Sequence, residues 1–152
     1  MKHHIWASAV LLVAVFLSRS PANAADKEKI QSAVDRGIER LRGLQAADGS
    51  WPAHHAGGTA LAGLTLLECE VAPTDPAIKE AAQYLRKSWT DVNDEYTTYA
   101  ISLAILFFDR LSDPVDTPVI QALGVRLLAG QNAAGGWTYM CPALGEDDLR
   151  AN

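Results

Sequence analysis

The side chains with chemistry to offer fall into three groups: the carboxylates of Asp91-Val92-Asn93-Asp94-Glu95 and Glu146-Asp147-Asp148, the imidazoles of His54 and His55, and the thiols of Cys69 and Cys141. Adjacent carboxylates repel, which raises one pKa and can make a general acid. Both acidic runs, however, stand in polar stretches, where such residues serve as solvated loops or helix caps, and Asp94 is placed to cap the helix that carries Tyr99. Zinc wants close ligand spacing such as C-x-x-C or H-x-x-x-H, and the sequence has neither. Adjacent histidines do not reach one ion from regular structure, so His54 and His55 read as a surface pair. Cys69 lies in Leu67-Glu68-Cys69-Glu70, where two carboxylates would raise a thiol pKa and blunt its reactivity. No Gly-x-Ser-x-Gly elbow or phosphate loop is present. No catalytic residue, metal ligand or cofactor is therefore assigned. A carbohydrate-active reading would use Tyr96, Tyr99, Trp89 and Trp137 as stacking surfaces and Asp91, Asp94 or Glu95 as acids, although aromatics at helical spacing more often belong to a core.

The elements that would have to position these groups begin after a leader. Lys2 precedes an uncharged run from Ile5 to Leu17, shorter than the roughly 20 apolar residues a spanning helix needs. Ala22-Asn23-Ala24 is a small-x-small cleavage signal, so residues 1–24, with His3 and His4, read as a signal peptide removed before Ala25. The mature chain is expected to be exported, periplasmic or extracellular, with no transmembrane helix. Without Lys2 and Arg19 it holds 11 basic and 18 acidic residues, a net charge of −7 with His neutral. Such a surface repels phosphate backbones, which excludes nucleic acid as a partner. In an exported chain Cys69 and Cys141 can pair, but nothing in the sequence brings them together.

The apolar spacing of the mature chain is helical throughout. Ile30, Val34, Ile38, Leu41 and Leu44 step by three or four residues and predict an amphipathic helix with a buried stripe. Thr59 to Leu67 is apolar almost all round, as expected of a helix surrounded by other helices or by a ligand. The pair then recurs, with an amphipathic helix through Ile78, Ala81, Ala82 and Leu85 and an apolar one from Tyr99 to Phe108. A third amphipathic helix carries Ile120, Leu123, Leu127 and Leu128. Val34, Ile78 and Ile120 are equivalent at steps of 44 and 42, as are Leu41, Leu85 and Leu127. Asp75-Pro76 and Asp113-Pro114 lie between helices and suit an Asp cap with Pro at the first helical position. No alternating strand pattern is found. The class is all-α, and the unit is a helical hairpin of roughly 40 residues.

Two helix ends carry the same turn 86 residues apart: Gln45-x-x-x-Gly49-x-Trp51 and Gln131-x-x-x-Gly135-x-Trp137. Gly permits turn conformations closed to other residues, Trp can bury a large ring, and the Gln amide can satisfy backbone groups left open at a helix end. With its leading Arg36-Gly37 and Leu41, the first copy resembles the QW motif of the terpenoid cyclase and prenyltransferase repeat superfamily. The third hairpin matches only the later half of the motif, with Ala122-Leu123 in place of the basic-Gly pair. The second places Trp89 where Gln is expected and lacks Gly-x-Trp. The similarity covers residues 25–142 and looks like that of secreted bacterial prenyltransferase and squalene oxidase repeat proteins.

The resemblance implies an α/α toroid, a ring of inner helices inside a ring of outer helices, with Gln and Trp tying neighbouring outer helices together. By it, Thr59 to Leu67 and Tyr99 to Phe108 are inner and the amphipathic helices outer. About two and a half hairpins are present before a polar tail at 143–152, so an incomplete ring truncated from a longer protein is expected, one that self-associates through uncovered apolar faces. The Asp-x-Asp-Asp acid of squalene cyclases is not matched by Asp91-Val92-Asn93-Asp94, nor does either cysteine stand in a thioester motif. The expected function is that of a structural or binding module for a protein partner or an apolar, isoprenoid-like ligand. The alternative is the N-terminal part of a terpenoid cyclase or prenyltransferase whose catalytic residues lie beyond Asn152.

Overall fold

Among the described residues, the apolar stripes seen in the sequence lie on helices, with Leu44 alone falling past a helix end. The computed structural model describes residues 22–52, 55–91 and 96–143. These form α1 (Ala22–Arg42), α2 (His55–Glu68), α3 (Pro76–Ser88), α4 (Thr97–Leu111) and α5 (Thr117–Ala129), with short 3-10 turns at Trp89–Asp91 and Pro114–Asp116. Among the described residues there is no strand, only an isolated bridge between Gln131 and Trp137. The expected signal peptide up to residue 21, His54, residues 92–95 and the tail from 144, with Glu146-Asp147-Asp148, lie outside the described residues. Helix α1 starts at Ala22, so the expected cleavage point falls in its first turn.

The chain divides into two units at Gly37. In the first, i to i+4 bonds support the polar face of α1: Gln31 Nε2 donates to Asp35 Oδ1 at 2.9 Å and Arg36 Nη1 to Ser32 Oγ at 2.7 Å.

The second unit is built on α2 and α4, which lie side by side. They approach closely because Gly63 leaves room for a ring: a Cβ there would sit 2.6 Å from Phe107 Cε2. Phe107 in turn meets Phe108 edge to face, with centroids 5.4 Å apart. Leu66, Leu67, Ile101, Phe107 and Phe108 are almost wholly buried, each contributing about 1.5–3 kcal/mol by removal from water. Helix α3 packs on α2 with its stripe of Ala77, Ile78, Ala81, Ala82 and Leu85 buried, and α5 packs on α4 and buries Leu123. From the end of α1, Ile38 and Leu41 reach this core half-buried.

The apolar helices are less enclosed than their composition suggests. Leu61, Tyr99 and Leu106 are each more than half exposed, because α2 and α4, with two packed neighbours apiece, leave one side uncovered. Leu44, the last residue of the α1 stripe, lies past the helix end and is also exposed.

Arginines link successive segments. Asp75 caps α3 by accepting from Ala77 N at 3.0 Å while its other oxygen takes Arg42 Nη2 at 2.7 Å. Glu39 and Asp75 together raise the Arg42 guanidinium above its ordinary value. At the next junction Asp113 caps the 3-10 turn through Val115 N, and Arg86 reaches both Asp113 and the buried Asp116. Arg110 Nε donates to Glu68 at 2.8 Å, joining the carboxyl ends of α2 and α4. Cys69 and Cys141 are free thiols.

Candidate functional site

Both Q-x-x-x-G-x-W segments fold into the same turn. Gln45 Nε2 donates to Gly49 O at 3.0 Å and Gln131 Nε2 to Gly135 O at 2.9 Å. The indole N–H of Trp51 reaches back to Leu41 O at 2.9 Å, and that of Trp137 to Leu127 O at 2.6 Å. Ala46 N to Ser50 O and Asn132 N to Gly136 O close the turns, both at 2.8 Å. The glycines take φ of 87° and 81°, a region that L side chains disfavour. Inside the first turn Asp48 accepts from the hydroxyl and backbone N–H of Ser50, which hold its carboxyl below the usual range. In the second, Asn132 supplies the corresponding acceptor, to Ala134 N and Gly136 N.

What covers the two turns differs. Over the first lies the start of α3: Gln45 Nε2 also donates to Ala77 O at 2.9 Å, and a Cβ on Gly49 would run into the Glu80 backbone carbonyl. Trp51 is 4% exposed. Trp137, expected to be buried in the same way, is 42% exposed, because among the described residues no helix lies over the second turn. Among the described residues, Gly135 has only the Gln131 side chain within 4.0 Å of a Cβ position. Substituting Gly135 by Ala should cost about 1 kcal/mol, from the left-handed backbone alone. Gly49→Ala adds a backbone clash and should cost about 2 kcal/mol, which urea denaturation of the two variants resolves.

The segment leaving the second turn completes a cleft. Thr98 N donates to Tyr139 O at 3.0 Å, the Thr98 hydroxyl meets the buried Cys141 Sγ at 3.2 Å, and Arg126 Nε donates to Pro142 O at 2.9 Å. Arg126 is itself buried, and that burial lowers its pKa. These bonds strap residues 138–142 to the start of α4 and the body of α5. Tyr139 is thereby held against Tyr96 and Tyr99, edge-on to the first at 78° and stacked on the second at 24°, each with centroids 5.9 Å apart.

The three rings wall a cavity of about 460 Å³ that is open to solvent, with Leu61, Ala100 and Leu103 on its other sides and Gly57 and Gly58 at the start of α2. Its size falls within the range of small-molecule sites, and its surface is mostly carbon, with phenol hydroxyls as the polar side-chain groups. Tyr96 is 47% and Tyr99 57% exposed, so neither is a core residue despite its helical spacing.

Of the four aromatics in the carbohydrate reading, the structure brings Tyr96 and Tyr99 together. Trp89 packs partly against the core and Trp137 stays with its own turn. Tyr139 was not singled out in the sequence. The one signal was the contrast between turns, since Ala53 occupies the equivalent position after Trp51. Gln45, Gly49, Trp51, Gln131, Gly135 and Trp137 are joints between chain segments and do not line the cavity. No group of three or more His, Cys, Asp or Glu among the described residues could hold a metal ion. No described helix is long and apolar enough to cross a membrane. No family model, curated protein or solved structure matches the chain.

Proposed function

We propose that this chain is an exported binding module of the squalene cyclase and prenyltransferase repeat type, which holds an apolar, isoprenoid-like molecule in the tyrosine-walled cleft without converting it. The observation that carries this reading is the cluster of three exposed tyrosines around an open, carbon-lined cavity. Apolar ligands gain by leaving water, and rings already stacked on one another lose little freedom when covered. An α/α toroid is supported by the pairing of α2 with α4 as inner helices, by α3 and α5 flanking them, and by the shared hydrogen bonds of the two turns. The acidic balance, −5 for the whole chain and −7 without the leader, argues against a nucleic-acid partner and against unaided capture of diphosphates. Export rests on the leader.

Farnesol titrated against the full chain should quench tyrosine emission saturably, and Tyr99→Ala should weaken binding about tenfold, since an aromatic contact is worth about 0.5–1.5 kcal/mol. The farnesol extracted afterwards should be unchanged by mass spectrometry. A converted product, or binding indifferent to Tyr99, would reject the proposal.

A further inference from the structure

Independently of what fills the cleft, the two turns differ in what packs over them. The first turn is a filled socket. Its Gln45 amide binds the Ala77 carbonyl, Gly49 lies flat on the Glu80 carbonyl, and Arg42 grips Asp75. The second turn has the same internal hydrogen bonds, but among the described residues no neighbouring segment lies above its glycine, and its Trp137 is 42% exposed against 4% for Trp51. Beside it, at the position of Arg42, stands Leu128, 68% exposed.

The chain also carries a second helix of the type that fills a socket. At a step of 44 residues, Ala33, Val34, Gly37, Ile38 and Leu41 of α1 correspond to Ala77, Ile78, Ala81, Ala82 and Leu85 of α3. Ala33 and Arg36, at the positions of Ala77 and Glu80, are exposed. The charges agree with this pairing. Where a helix end holds an arginine, at Arg42 and Arg86, the next segment offers an aspartate, Asp75 or Asp113 and Asp116. Where the socket holds Leu128 it needs a helix without one, and α1 has Gln31 at the position of Asp75.

We infer that the second turn docks α1 of a second copy, head to tail, with Gln131 donating to the Ala33 carbonyl and Gly135 lying over the Arg36 backbone. A contact between two different surfaces leaves one of each free on every open assembly, so it extends to longer species until the rotation closes a ring. Light scattering of the full chain from micromolar to millimolar concentration should show mass rising beyond a dimer.

Ala33→Arg and Leu128→Glu are both substitutions at exposed positions, and far-UV circular dichroism checks that the helices are retained. Each alone should lower the association constant at least tenfold. An equimolar mixture of the two should form a dimer and stop there, because only the turn of one variant and the α1 of the other remain intact. Gln31→Asp combined with Leu128→Arg, which recreates the Arg42 and Asp75 pairing, should restore association and make it salt-sensitive. A wild-type chain that stays monomeric would overturn the inference. So would a mixture that forms no dimer, or association lost with Leu128→Glu but kept with Ala33→Arg.

Discussion

Replacing Trp51 by alanine is expected to remove about 3–5 kcal/mol of stability, the range for deleting a buried aromatic that the surroundings cannot collapse around. The ring is 4% exposed and belongs to the core cluster. Its backbone N–H is fixed to Thr59 Oγ1 at 3.0 Å, and its indole N–H answers Leu41 O at the end of α1. Truncation opens a cavity and leaves that carbonyl to water. A domain of this size has only about 5–15 kcal/mol in hand, so the midpoint of urea unfolding should fall severely. Trp137→Ala is the control. It removes the same motif residue with the same hydrogen bond, but from a ring nearly half in water, and should cost about 1–2 kcal/mol. Equal losses at the two sites would mean that the motif stabilises through its own turn and not through the segment packed over it.

The second large effect is expected at the junction of α3 with α5. Asp116 has 1% of its side chain exposed and receives Arg86 Nε at 2.6 Å and Nη2 at 2.8 Å. This bidentate grip is what raises the Arg86 pKa above its ordinary value. Arg86→Ala strands a buried carboxylate and should cost about 3 kcal/mol, the lower end for breaking a buried pair because Arg86 itself is 31% exposed. Asp116→Ala should cost less, since the arginine can turn to water or keep Asp113, which it already meets at 3.1 Å. Denaturation at neutral pH should show this order. The reverse order would mean that Asp116 stabilises the junction by something other than its pairing with Arg86.

The helices were readable because burial repeats at the helical period: Ile78, Ala81, Ala82 and Leu85 were found buried where their spacing placed them. The Asp75-Pro76 cap was equally local, as its donor lies two residues away. The internal bonds of both turns span at most ten residues, and their equivalence follows from identical motif residues. What could not be read depends on partners far along the chain. Nothing near Trp137 tells that it lacks the cover α3 gives Trp51. Asp116 is buried by an arginine thirty residues upstream. Tyr99 looked like core because helical spacing fixes which side of a helix a residue is on, not whether another helix lies there. Tyr139 reaches the cleft only through hydrogen bonds made by Thr98, about forty residues before it.

The most direct test of the proposed function uses the four tyrosines of the chain as reporters. With tyrosine rings isotopically labelled, farnesol should shift the resonances of Tyr96, Tyr99 and Tyr139 together. Tyr84, half-buried on α3 and outside the cavity, should stay in place. Shifts at Tyr84 alone, or none at the three cleft rings while farnesol demonstrably binds, would contradict the assignment of the cleft as the ligand site.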